Sequence, residues 1–348
     1  MKRRRLPIGI QTLRKLRQRD CYYVDKTAYI EQLWNSGECY FPARPRRFGK
    51  SLFVDSLNEL LKGNEALSRG LHIHDRWDSS VRRAVLRLSF DYGHFHEPGH
   101  LHTNLMEQLG DLEIDASTGS RHRTGPGRLA HLIRTWHRRS GKLVVVLVDE
   151  YDKPILDALE GPEVARANRN HLRGLYGVTK GCDEHIRFTF ITGVSKSSKV
   201  SLFSGLNSLE DITLAPAYSA ICRYTDADLD EVFAPELPGS DRARIRRWYD
   251  GYNWLGDERI YNSFYILLLF KKRVSKSYSI ETGTSTSLLD VLAPGGTALH
   301  LEEMRGDEEL LSQLDVGDIG TEALLFQTGY LMTTGEGFPV CEPPRLPT

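Results

Sequence analysis

The chain predicts an α/β fold, a parallel β-sheet with helices on both faces, followed by a smaller, mostly helical unit. Three observations carry this. Leu143–Val148 is a run of six consecutive apolar residues, which fits a strand covered on both faces of a parallel sheet. Strand-like and helix-like segments alternate up to about residue 210, the pattern of repeated βα units. Beyond Asp211 no further apolar strand of this kind occurs, and helical spacing takes over.

The elements follow in order. Tyr40–Ala43 reads as a short strand, and the segment SLFVDSLNELLKG after it as a helix closed by Gly63. Ala84–Phe90 alternates apolar and polar residues and is rich in strand formers. Leu129–Gly141 is an amphipathic helix whose basic last turn and terminal glycine are both stop signals. Ile186–Ile191 repeats the pattern of a buried strand ending in small polar residues. In the second unit, YTDADLDEVFAPEL starts a helix with Thr and Asp, and SDRARIRRWYDGYNWLG reads as another helix ending at an aromatic turn. That turn is expected to pack the second unit against the first. The boundaries drawn from these shifts are 1–212, 213–331 and a proline-rich tail, 332–348, expected to be disordered or cut short.

Composition narrows the class. At 348 residues, with 40% hydrophobic and 26% charged residues and zero formal net charge, the chain has room for two domains. The neutral total hides an asymmetry: residues 1–50 hold 13 Lys/Arg against four Asp/Glu, and residues 281–322 hold ten acidic residues against one arginine. A basic N-terminal region makes nucleic acid a candidate partner. No run of about 18 apolar residues is present, so no membrane partner is expected. The five cysteines are widely spaced with no C-x-x-C pair, which argues for a reducing compartment, and the cytoplasm is the simple choice.

The chemistry starts at ARPRRFGKSLF. A nucleotide loop needs backbone N–H groups curled around phosphate at a helix N-terminus, a lysine for the β- and γ-phosphates, and a Ser or Thr hydroxyl for Mg²⁺. Arg46, Arg47, Phe48 and Gly49 supply the loop, Lys50 the charge and Ser51 the hydroxyl. The pattern departs from G-x-x-x-x-G-K-[ST] because Arg44-Pro45 stands where the first glycine belongs. A second motif strengthens the reading. The apolar strand ends in Asp149-Glu150, an aspartate placed to hold Mg²⁺ and a glutamate placed to direct an attacking water. The intervening strand 84–90 points to the additional-strand class of P-loop NTPases, to which AAA-type ATPases belong. Thr192 and Ser195, at the end of the strand from Ile186, are candidates to sense the γ-phosphate. The histidine-rich stretches His72–Asp75 and Gly93–His102 lack partner cysteines and are read as loops, not metal sites.

With these residues in place, the chain resembles the bacterial and archaeal AAA-ATPase-like family. The resemblance rests on LPIGIQTLRKLR, CYYVDKTAYIEQL, RPRRFGKSLF, VVVLVDEYDKPILDAL, FTFITGVSKSSKVSLFSGLNSLEDITL, WYDGYNW, RIYNSF, ETGTST and LLFQTGYL. The Arg44-Pro45 departure is shared by that family. The resemblance implies phosphate and Mg²⁺ contacts for Lys50 and Ser51, and metal and water contacts for Asp149 and Glu150. Asp25 either caps the following helix or touches the nucleotide, and Arg46 and Arg47 face phosphate, DNA or solvent. Family members usually carry a PD-(D/E)XK nuclease-like domain after the ATPase, and here it is expected to be missing. The expected function is that of a Mg²⁺-dependent ATPase using ATP, with Glu150 and Lys50 catalytic. The alternative is a non-hydrolysing, nucleotide-gated module binding DNA or protein. AAA-like sites can call on an arginine from a neighbouring copy, which makes a homo-oligomer a candidate assembly.

Overall fold

The computed structural model describes residues 2–195, 202–203, 208–252, 260–274 and two short strands at 314–315 and 318–319. Five parallel strands form the central sheet: β1 (Cys39–Phe41), β2 (Val85–Ser89), β3 (Val144–Asp149), β4 (Ile186–Ile191) and β5 (Glu210–Asp211). Their order is β2-β3-β4-β1-β5, with every neighbouring pair parallel. The strand between the two sequence motifs, β2, lies at the outer edge. In space it is β4 that separates β1 from β3, pairing Thr189 with Cys39 on one side and with Val146 on the other.

Period-two alternation explains why β3 is apolar throughout. Val144, Val146 and Val148 face a core built with Leu105, Leu132, Leu172 and Tyr176, from α5 (His100–Asp115), α6 (Gly125–Ser140) and α8 (Pro162–Gly181). Val145 and Leu147 face the opposite core, where Ile30 and Leu33 of α2 (Thr27–Ser36) meet Phe53, Val54 and Leu57 of α3 (Lys50–Leu61). Because helices cover both faces, no position on the strand is left for a polar residue until the sheet's C-terminal edge. The helix read from Leu129 begins four residues earlier, where Thr124 caps it by accepting the Gly127 N–H. Shorter helices lie at Leu13–Gln18 (α1), Glu65–Ser68 (α4) and Lys153–Leu156 (α7).

Beyond β5 the chain forms α9 (Asp226–Val232), α10 (Arg242–Tyr249) and α11 (Ser263–Lys272). It also forms a three-stranded antiparallel sheet of β6 (Tyr224–Thr225), β8 (Ile260–Tyr261) and β7 (Asp250–Tyr252), which the helical reading of this part did not include. Thr225 and Asp228 close a capping box on α9, and Asn262 caps α11 by accepting the Phe264 and Tyr265 N–H groups. A third core joins Leu229, Phe233, Ile245, Tyr249 and Phe270 to Tyr22 and Val24, so the start of the chain packs against this later unit. The two-residue strands at 314–315 and 318–319 pair antiparallel as β9 and β10. The tail 332–348, and the resemblance motifs ETGTST and LLFQTGYL, lie outside the described residues.

Candidate functional site

The loop between β1 and α3 turns on an arginine. The Arg44 side chain is fully buried and donates to the carbonyl oxygens of Ala43, Thr213 and Tyr218 at 2.8, 2.7 and 3.1 Å. Burial pulls its pKa down to about 10, with the Asp211 carboxylate among the groups acting the other way. The position usually held by a glycine here fastens the loop to the chain following β5. The tight turning happens later, at Arg47 (φ +67°) and Gly49 (φ +86°), both left-handed. A Cβ on Gly49 would sit 2.9 Å from the Cys222 carbonyl oxygen, so glycine is required there for conformation and for space.

Lys50 opens α3 and is buried, its Nζ held by the Arg44 and Pro45 carbonyls at 3.0 and 3.3 Å and paired with Glu150 Oε1 at 3.1 Å. Glu150 adopts φ +55°, unusual for a non-glycine residue, directly after β3 ends. Asp149 is 1% exposed, and neither carboxylate oxygen has a well-formed hydrogen bond. Burial and the neighbouring Glu150 charge push its pKa up to about 6, against the pull of the Ser51 hydroxyl and the Lys50 and Arg87 cations. Lys50, Ser51, Asp149 and Glu150 therefore converge at the C-terminal edge of the sheet.

Other sequence-singled residues lie around this centre. Thr192 is buried and gives its hydroxyl to the Pro42 carbonyl, 3.2 Å away. Ser195 is also buried and bound to Asp152, a carboxylate the sequence reading passed over. Asp152 is wholly buried and accepts the Val194 and Ser195 N–H groups as well as the Ser195 hydroxyl, while burial raises its pKa. Tyr151 adds a bond to the Ser195 carbonyl, and the Arg44 N–H donates to Gly193 O. The loop, the end of β3 and the turn after β4 are thus tied into one network. Asp25 accepts the Thr27 N–H at the start of α2 and the His72 N–H, which places it in a helix-starting role. Among the described residues no group of three or more His, Cys, Asp or Glu side chains could hold a metal ion, and His72 pairs with Glu31.

A cavity of about 320 Å³ opens beside Gly49, Lys50, Ser51 and Glu150. Its walls come from three parts of the chain: Pro7, Gly9, Ile10 and Gln11 with Tyr23, Val24 and Lys26, the loop with the first turns of α3, and Ile221–Tyr224 with Phe264 and Leu267. Arg46 and Arg47 are exposed, and the Arg47 guanidinium lies 4.7 Å above the Phe264 ring. Phe48 is buried under the Arg223 guanidinium at 3.5 Å. Arg223 carries no motif; the fold brings it to the cavity wall and over Phe48. The walls are largely apolar with cations at the loop end, a shape suited to an organic body attached to an anionic tail.

The fold and this arrangement define an α/β protein of the P-loop-like class. A family model described as "Predicted AAA-ATPase" matches residues 7–203, more than half of the chain, and the chain belongs to this AAA-ATPase-like family. A relative described as "Uncharacterized protein in vnfD 5'region", from Azotobacter chroococcum mcd 1, is 54% identical over 333 residues. That match covers 95% of this chain and 64% of the relative, so the chain spans under two thirds of the relative's length. No solved structure matches. Among the described residues no helix is long and apolar enough to cross a membrane.

Proposed function

We propose that the chain binds ATP with Mg²⁺ and hydrolyses it. The observation that carries this is the convergence of Lys50 and Ser51, at the start of α3, with Asp149 and Glu150, at the end of β3, beside a cavity of about 320 Å³. The nucleoside occupies the apolar cavity between Tyr23, Phe264 and Leu267, and the phosphates lie against the loop N–H groups at the positive end of the α3 dipole. Lys50 neutralises the phosphate charge. In this reading residues 1–212 form the nucleotide-binding unit and residues 213–331 the second unit, from which Tyr224, Phe264 and Leu267 reach the cavity wall.

The residues fit a magnesium ion. Asp149 keeps two buried oxygens without well-formed hydrogen bonds next to the Ser51 hydroxyl, a hard oxygen set of the kind Mg²⁺ takes together with water and phosphate. When bound, the ion supplies charge neutralisation on the phosphates. Ser51 and Asp149 would hold it, and Glu150 would position the attacking water and accept its proton. Arg223, buried beside the loop, adds positive charge from within the same chain. Negative charge building on the phosphate is stabilised by groups already fixed in place, Lys50 above all.

A second reading is favoured by the cavity wall. Because Tyr224, Phe264 and Leu267 belong to the later unit, nucleotide occupancy fixes that unit against the sheet. The chain would then serve as a nucleotide-gated binder of DNA or protein, with or without turnover. Hydrolysis by the purified chain, measured with Mg²⁺ beside Lys50→Ala and Glu150→Gln, separates the two. An ATPase loses activity in both and keeps ATP binding in Glu150→Gln. Binding without hydrolysis in the wild type supports the gated module, and no binding sinks both.

A further inference from the structure

Part of the positive charge concentrated in the first 50 residues is paired or buried within the fold. Arg14 pairs with Glu59, Lys26 with Asp228 and Lys50 with Glu150, while Arg44 is buried on carbonyl oxygens. A second concentration of positive charge lies elsewhere. Residues 121–142, through α6, hold seven Lys/Arg and no Asp or Glu, and α8 holds four more with one carboxylate, Glu163 in its first turn; Arg128 pairs with Glu113 of α5 and Arg166 with Glu163. The two helices pack side by side on one face of the sheet and run parallel: Gly125 lies against His171, and the His137 and His185 rings meet with Nδ1 atoms 2.8 Å apart. On α8, Arg166, Arg173 and Lys180 recur at steps of seven residues, so they share one stripe about 21 Å long. They are exposed, as are Arg134 and Arg138 on α6.

We propose that the outward face of α6 and α8 binds the phosphate backbone of a nucleic-acid duplex. An extended, arginine-rich face whose one carboxylate from α6 and α8, Glu163, lies at the start of α8 matches a row of phosphates, which guanidinium groups engage through paired hydrogen bonds. A membrane-surface helix would set large apolar side chains into the lipid. The exposed large apolar residues among those described are Tyr92, Ile114 and Val274, none of them on α6 or α8. A single-strand binder would offer exposed aromatic rings for base stacking, and the same observation argues against that. The acidic helix α5, with exposed Glu107 and Asp111 beside α6, sets one border of the surface. The proposal does not depend on the nucleotide reading.

The test is fluorescence anisotropy of the full chain with a 20-base-pair DNA duplex of arbitrary sequence, across a salt series. Wild type binds with affinity falling steeply in salt, by a slope of about 0.9 per phosphate engaged. The combined variant Arg134→Glu, Arg138→Glu, Arg173→Glu, Lys180→Glu is expected to bind at least about 10-fold more weakly with a shallower slope. Lys15→Glu with Arg19→Glu, on and beside α1, leaves affinity unchanged. Should the fourfold variant unfold by circular dichroism, the neutral pair Arg173→Gln and Lys180→Gln carries the test and is expected to weaken binding several-fold. Comparable binding to an RNA duplex supports the proposal, since the recognised group is the backbone. No salt-dependent duplex binding overturns it. So does a larger loss from the α1 pair than from the α6/α8 changes, or a 10-fold preference for single strands or for phosphatidylserine vesicles.

Discussion

Lys50 Nζ stands 3.1 Å from Glu150 Oε1, joining the first residue of α3 to the residue after β3 in an ion pair whose lysine is almost wholly shielded from solvent. Under the proposed function that pair competes with phosphate for the lysine. Removing the glutamate charge releases Lys50 and lowers the negative potential where phosphate arrives. Glu150→Gln is therefore expected to bind ATP several-fold more tightly than wild type while hydrolysing it at below about 1% of the rate. A fluorescent-nucleotide titration beside a phosphate-release assay checks both. Weaker binding by the variant would show that the pair holds the loop in shape and does not tie up the lysine.

Asp149 gives a prediction in stability and pH. Its pKa rises from 3.8 in the unfolded chain to about 6 in the fold, so the native state favours the protonated carboxyl. Well below pH 3.8 both states are protonated and the residue costs nothing; above pH 6 the fold bears the full penalty of a buried, poorly partnered charge. Asp149→Asn should therefore stabilise the ligand-free protein at pH 7.5 by about 1–3 kcal/mol, with the gain shrinking between pH 6 and pH 4. Urea melts at pH 7.5 and pH 4 measure it. An equal effect at both values would show that charge is not the cause.

Arg44→Gly restores the more usual loop residue, and it is expected to harm the protein. The substitution strips hydrogen bonds from the Thr213 and Tyr218 carbonyls and leaves a cavity at a fully buried position. A loss of about 3–5 kcal/mol follows from these two effects together. Thermal unfolding would test this, and an unchanged Tm would mean that the chain after β5 is not held by this side chain.

Two glycines should respond in opposite directions to alanine. A Cβ on Gly193 would lie 2.5 Å from Asp152 Oδ1 and from the Tyr151 ring, so Gly193→Ala must push apart the turn after β4 and the end of β3, at about 2–4 kcal/mol. Gly177, inside α8, has nothing within 4 Å of such an atom, and Gly177→Ala should stabilise by about 0.5–1 kcal/mol through helix propensity. Chemical denaturation of both variants gives the comparison; destabilisation by Gly177→Ala would contradict the open space beside it.

Short-range features were the readable ones. The two-sided burial of β3 shows in six consecutive apolar residues, and the start of α3 at Lys50 shows in the glycine before it and the helical spacing after it. Strand order was not written so locally, because β2 and β4 have similar patterns and only pairing decides that β4 takes the middle. Arg44 was legible only as a departure from the loop's usual glycine, not as an anchor; two of its three carbonyl partners lie 169 and 174 residues away. Asp152 was similarly hidden, since the N–H groups it accepts come from a turn 42 and 43 residues later. Strands of two or three residues, such as β6 and β8, are too short to show a period.

The three-part wall of the cavity has a consequence during synthesis. Pro7 and Tyr23 leave the ribosome before the loop, but Phe264 and Leu267 emerge only after all five strands of the sheet have been made. A nascent chain that has completed its five-stranded sheet therefore still lacks one side of the cavity. Tight retention of a small molecule there must wait for α11, so the last-made wall decides when the newly translated protein becomes competent.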